Sequence, residues 1–313
     1  MTPIVSKRSF FGFYFYLAVA SLLCLLLGFM TIGLFIHLYQ SPEFETRNYG
    51  LLPMFCGIIA LMVYLFYRLI KRSPGISVDE YSITFNNKVT YQWADIDKIT
   101  LNGKAGFLFF YEKEAMTLKF KDGKTFYMID DLYSNLWQIK LFIKYRVIDK
   151  AKNVPATVEN PDPAEAKNEN FLFYKRFQLL NFRGIMLWMI LAGLGYAAIK
   201  NISHPVGLIF ISSFACLAFF GLSYFLYYVG VSDNYLIVRN HNFFWVKKLY
   251  RLTDIKEVVF EQQDKWPNCV IVITNDFKTN FFPAATLWGR DFRTLKQDLL
   301  SRNIAVRDEI RAG

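Results

Sequence analysis

Apolar residues run in four long blocks, and between the blocks they alternate with polar ones. The first block, about residues 10–38, carries no charge. It is long enough to cross about 30 Å of hydrocarbon with some tilt. Lys7 and Arg8 precede it, but it far exceeds the roughly 7–15 apolar residues of a signal peptide, and no small-x-small cleavage site follows. The second block, about 51–70, has Arg68 near its end. The third, about 182–200, is short: Gly184 to Ile199 covers only about 24 Å as a helix. Arg183 and Lys200 flank it and can snorkel to the two surfaces. The fourth runs from about 205 to 229.

Each pair of blocks leads into a segment with the period of β-strands. Val78, Ile83 and Phe85 of the first correspond to Val231, Leu236 and Val238 of the second; each set reads as a turn and an alternating strand. Trp93-Ala-Asp-Ile-Asp-Lys-Ile99 is answered by Leu252-Thr-Asp-Ile-Lys-Glu-Val258. A hairpin from Leu118 to Met128 turns at Asp122-Gly123, a strong tight-turn signal. Its counterpart from Val272 to Phe282 has Asp276-Phe277 there, which predicts a different turn. Each copy closes with an amphipathic helix. Leu136, Ile139, Ile143 and Val147 share one face with Lys140 and Lys144 opposite; Phe292, Leu295 and Leu299 repeat the face. Several short strands and one helix in about 75 residues predict a small barrel whose open end the helix covers.

The predicted fold class is therefore an integral membrane bundle of four helices plus two β-rich split barrels, each capped by a helix. The boundaries are 1–72 for the first hairpin of spans (10–38 and 51–70), 75–148 for the first barrel and 149–172 for a flexible linker. The second hairpin is 173–229 (182–200 and 205–229), and the second barrel is 230–310. The linker contains Pro155, Pro161 and Pro163 and few apolar residues.

Composition supports the membrane reading. Of 313 residues 54% are hydrophobic and 18% aromatic, and mean hydropathy is +0.22. Soluble globules hold about 45–50% apolar residues. The net charge of +10 fits a membrane protein with basic cytoplasmic flanks; no zinc-finger spacing or helix-turn-helix pattern argues for nucleic acid. Lys7, Arg8, Arg68, Lys71, Arg72, Lys175, Arg176 and Arg183 flank the spans on one side, against Arg47 and Lys200 on the other. This bias places both termini and both barrels in the cytoplasm. Gly57 and Ala60, and Gly193 and Ala197, are small residues at which helices can approach one another. No Asp, Glu, Lys or Arg lies mid-span, which argues against a pump or transporter.

The order of two spans, a β-rich stretch, a Trp-x-Asp-Ile-x-x-Ile run (Trp93 to Ile99), an Asp-Gly hairpin and a final helix resembles the bacterial PH-like (bPH) domain membrane proteins. Leu252 replaces the Trp in the second copy. The resemblance implies a tandem duplication of spans plus PH-like split barrel in a bacterial inner membrane. It brings no catalytic activity.

Chemistry is sparse. Three histidines, no paired metal ligands and no Ser-His-Asp order predict no enzyme, no metal and no cofactor. The best binding candidates are Arg239, Lys247, Lys248 and Arg251, a basic edge suited to an anionic leaflet or a protein partner, or else the charged protection of a strand edge. Phe243, Phe244 and Trp245, with Trp266, are expected to fill the second barrel; the alternative is that they dip into the interface. The expected role is a scaffold or regulator that binds the phospholipid bilayer and a protein partner, or a second copy, and no nucleic acid. The alternative is an immunity protein against a membrane-targeting toxin, a reading that rests on the family's link to envelope stress.

Overall fold

The computed structural model describes residues 3–40, 51–107, 112–151, 157–159, 161–262 and 267–310. The chain divides into two compact units, Met1–Pro155 and Ala156–Gly313.

In the first unit, strand β1 (Ile4–Val5) is followed by a π-helical turn, Phe10–Phe15, and helices α1 (Tyr16–Gln40) and α2 (Leu51–Lys71). Strands β2 (Ile76–Val78), β3 (Ser82–Phe85), β4 (Val89–Gln92), β5 (Ile96–Gly106), β6 (Glu112–Phe120) and β7 (Thr125–Ile129) come next, and then helix α3 (Leu136–Phe142). They form a four-stranded sheet, β1-β2-β3-β4, and a three-stranded sheet, β5-β6-β7. Ile4 pairs with Val78, so residues ahead of the first apolar block complete a sheet that follows the second. The module therefore does not begin at 75. Its missing edge was too short to show a period, and backbone contacts hold it. The Lys7 amide donates to Asn135 Oδ1 at 2.6 Å, and Asn135 Nδ2 donates to the Val5 carbonyl at 2.9 Å.

Both sheets and α3 close on one core that includes Val78, Ile83, Phe85, Leu118, Met128 and Ile139. Phe85 stacks on Phe126 and Tyr91 on Phe120, each pair at 3.9 Å. Burying each such ring contributes about 1.5–3 kcal/mol. Lys140 departs from the polar face expected of it. It is 1% exposed and pairs with Asp130 at 2.6 Å, because the helix lies where that carboxylate and Asn102 receive its ammonium group.

The second unit repeats the order of elements. Strand β8 (Leu172–Tyr174) precedes helices α4 (Phe182–Lys200) and α5 (Pro205–Ser223). Then come β9 (Tyr227–Val231), β10 (Tyr235–Asn240), β11 (Lys247–Arg251), β12 (Ile255–Gln262), β13 (Asn268–Thr274), β14 (Thr279–Pro283) and helix α6 (Gly289–Ser301). A final strand, β15 (Ala305–Glu309), pairs parallel with β12. The sheets run β11-β10-β9-β8 and β14-β13-β12-β15, and Val229, Val238, Val258, Val272, Leu295 and Leu299 share the core. The fourth apolar block ends as helix at Ser223, short of the expected 229. Its tail is apolar because Tyr227 and Val229 enter the module core. Part of the expected flexible linker also packs: Ala166 is buried with Ile237 and Leu249, and β8 adds to β9.

The two hairpins share one turn, contrary to the sequence expectation. The Phe120 amide donates to the Lys124 carbonyl at 2.9 Å, and the Thr274 amide to the Lys278 carbonyl at 3.1 Å. Gly123 has φ 86° and Phe277 φ 65°. A left-handed Phe costs roughly 1–2 kcal/mol. Here the ring is buried, and Lys256 Nζ lies 3.9 Å from its centroid, which offsets the strain.

Among the described residues three helices are long and apolar enough to cross a membrane: Phe10–Gly33, Phe182–Lys200 and Pro205–Ser223. This is a membrane protein with β-rich modules attached to its helices.

Candidate functional site

Strand alternation sorts the predicted basic edge. On β10 and β11 the ladder places Arg239 opposite Lys247, and Tyr235 opposite Arg251. Successive side chains point to opposite faces, so Arg239, Lys247 and Arg251 share the outward face with Ile237 and Leu249. Lys248 points the other way, beside Tyr250. Arg251 is already neutralised. It pairs with Glu165 at 2.8 Å, and that hydrogen bond holds the Glu165 carboxyl below its usual range. Arg239 and Lys247 have no carboxylate partner among the described residues.

The sequence reading missed what completes this face. Phe173 of β8 lies against β9, opposite Gly230. A Cβ at Gly230 would come within 2.7 Å of the Phe173 ring, so only glycine lets the ring lie flat on the backbone. Two cations lie near that ring, Lys175 Nζ and the Arg239 guanidinium, each 5.5 Å from its centroid. Lys175 also lies 5.6 Å from the Tyr228 ring. The next residue, Arg176, is occupied elsewhere. It pairs with Asp291 at 2.9 Å and lies 4.3 Å from the Trp288 ring. The missed signal was the aromatic run Phe171-Leu-Phe-Tyr-Lys175, which straddles the boundary between the assigned linker and the second hairpin.

Above this ring a cleft of ≈ 520 Å³ opens between β8, β10, β11 and the segment 163–171. Arg239, Lys247 and Lys167 supply its charge, and Phe171, Ile237 and Leu249 its apolar wall. Arg239 Nε is buried without a hydrogen-bond acceptor, as is His241 Nε2 nearby. Burial, and then the Lys175 charge, lower the His241 pKa to about 4, so the ring is neutral near pH 7.

The cationic end of the face adjoins the apolar helices. Strand β9 starts four residues after α5 ends, and Arg239 pairs with Tyr228 near that start. In the next loop, Phe243 packs against Phe219 and Phe220 of α5 at 6.1 and 5.8 Å. Phe244 and Trp245 are 78% and 60% exposed. None of the three belongs to the module core, which corrects the expectation that they fill the barrel. The six-residue loop 241–246 instead packs through Phe243 on the end of α5. Trp266 lies outside the described residues.

The first unit carries a different basic cleft of ≈ 410 Å³ at the end of α2, with Tyr64, Tyr67, Arg68 and Lys71 in its wall. Arg68 donates to Tyr64 Oη at 3.1 Å. Of the small residues expected to pack helices, a Cβ at Gly57 or Gly193 would meet nothing within 4 Å. Ala60 is exposed and Ala197 half-buried. Among the described residues no group of three or more His, Cys, Asp or Glu side chains is placed to hold a metal ion. Compared with known proteins, the chain matches no family model and no curated sequence.

Proposed function

We propose that this chain is a multi-pass protein of the bacterial inner membrane, with four spans and two cytoplasmic PH-like barrels. It acts as a non-enzymatic scaffold or regulator whose second barrel binds the anionic leaflet or a protein partner. One observation carries the reading: Arg239 and Lys247 lie either side of the loop 241–246, whose Phe243 packs on the end of α5 and whose Phe244 and Trp245 are exposed. Trp245 and Phe244 suit the headgroup boundary, where amphipathic rings partition. Each Lys or Arg near an anionic leaflet contributes about 1 kcal/mol. Helix α2, whose last turn holds Arg68 and Lys71, supplies the remaining span, and the basic flanks set the orientation.

Hydrogen exchange on the full chain in nanodiscs tests this. Exchange in β10 and β11 is expected to slow when phosphatidylglycerol replaces phosphatidylcholine. Neutralising Arg239 and Lys247 together should erase most of that difference, and removal of residues 39–50 should not. Residues 41–50 lie outside the described residues. If loss of that loop abolished the protein's effect in cells while the neutralised variant kept it, the immunity reading would replace this one.

A further inference from the structure

Arg239 and Lys247 face each other on the ladder, and Lys167 lines the same cleft. None of the three has a carboxylate partner among the described residues, although Arg251 on the same face does. Like charges directly opposite one another are destabilising, and the cleft sets one carboxylate, Glu169, against three cations, so it favours an anionic group from outside the chain.

We propose that the cleft between β8, β10, β11 and segment 163–171 binds the phosphodiester of one anionic phospholipid, with Arg239 and Lys247 as its direct partners and Lys167 contributing from segment 163–171. This deepens the leaflet-binding reading and rests on it. Guanidinium and ammonium donors to phosphate oxygens form the stronger, charge-assisted class of hydrogen bond. The source is a lipid and not free phosphate because Arg239 and Lys247 lie either side of the loop 241–246, whose Phe243 packs on α5 and whose Phe244 and Trp245 are exposed. The far end of the cleft holds Asn170 and the Glu169 carboxylate, and Glu169 accepts from Asn234 at 2.9 Å. A carboxylate there repels a second anionic group and can accept from hydroxyls, so a hydroxylated headgroup with one phosphate fits best. The first module has no such arrangement. The positions equivalent to Phe173, Gly230 and Ile237 on its ladder are Val5, Ser77 and Thr84.

Native mass spectrometry of the full chain from mixed phosphatidylglycerol and phosphatidylcholine nanodiscs reads the site directly. The unmodified protein is expected to retain one phosphatidylglycerol that Arg239→Gln and Lys247→Gln each lose by on the order of tenfold or more. Arg239→Lys should recover part of the retention. Lys248→Gln removes the same charge on the other side of the sheet and should leave retention unchanged. Millimolar inorganic phosphate or glycerol phosphate should not displace the lipid. Equal losses from Lys248→Gln and Arg239→Gln would overturn the site while leaving diffuse leaflet attraction standing. Absence of phosphatidylglycerol preference in the unmodified protein, or displacement by inorganic phosphate, would also overturn it. Lys247 is exposed, so Lys247→Gln keeps the test decisive even if Arg239→Gln folds poorly.

Discussion

Thr84 and Thr90 face each other on the first module's outer ladder, joined by a 2.9 Å hydroxyl hydrogen bond. In the second module Ile237 and Leu249 hold the matching positions, under the segment that carries Ala166. The inner faces of the same strands barely differ: Val78, Ile83 and Phe85 line one core, and Val231, Leu236 and Val238 the other. The strand connection also differs. Asn86 and Asn87, at φ 52° and 53°, make a tight turn of the primed type, whereas 241–246 is a six-residue loop with exposed aromatics. Packing fixes the inward residues of such a sheet. The outward ones are free to specialise, and only the second module has built a cationic cleft there. The first buries one ion pair, Lys140–Asp130, and its basic cleft lies instead at the end of α2.

That contrast can be broken most strongly at the pair itself. Asp130→Ala leaves an uncompensated buried ammonium and should destabilise the first module by about 3–5 kcal/mol. Hydrogen exchange should show β6 loosened and β13 unchanged. Gly230→Val drives a side chain into the Phe173 ring and should cost the second module about 1–3 kcal/mol. Ser77→Val, at the equivalent ladder position, should be close to neutral.

A pH titration sharpens the comparison. His241 has a folded pKa of about 4 against an ordinary 6.5. Between those values the unfolded chain binds the proton and the folded chain does not. Its contribution to the second module's stability is therefore complete above pH 6.5 and declines as pH falls towards 4. His241→Phe should flatten that slope in exchange-monitored unfolding of β10, with no change in the first module. The smallest effect is at the shared turn: Gly123→Ala, at φ 86°, should cost about 1 kcal/mol, measurable by exchange at β6 and β7.

The apolar blocks and the inward faces of the strands could be read from the sequence because each repeats over many residues. The helices at 182 and 205 start where hydropathy placed them. Short edge strands could not be read: Ile4–Val5 and Leu172–Tyr174 are defined by backbone pairing across long sequence separations. Nor could the shared turn, because Phe277 adopts a glycine conformation that only its buried ring and Lys256 make tolerable. At the candidate site, Arg239 and Lys247 stood out as basic residues, and strand alternation on the predicted strand would have separated them from Lys248. Phe173, Lys175 and Gly230 were hidden because their roles depend on one another: the glycine matters only for the ring, and the ring only for the cations.

The account depends on both modules facing the same compartment, and cysteine accessibility tests this directly. Single cysteines would be placed at the two hairpin turns, Lys121→Cys and Asn275→Cys, in an otherwise cysteine-free full-length chain. Intact spheroplasts would then be treated with a membrane-impermeant maleimide. The account predicts no labelling at either position until the membrane is lysed, and labelling of both afterwards. Labelling of either turn in intact spheroplasts would contradict it.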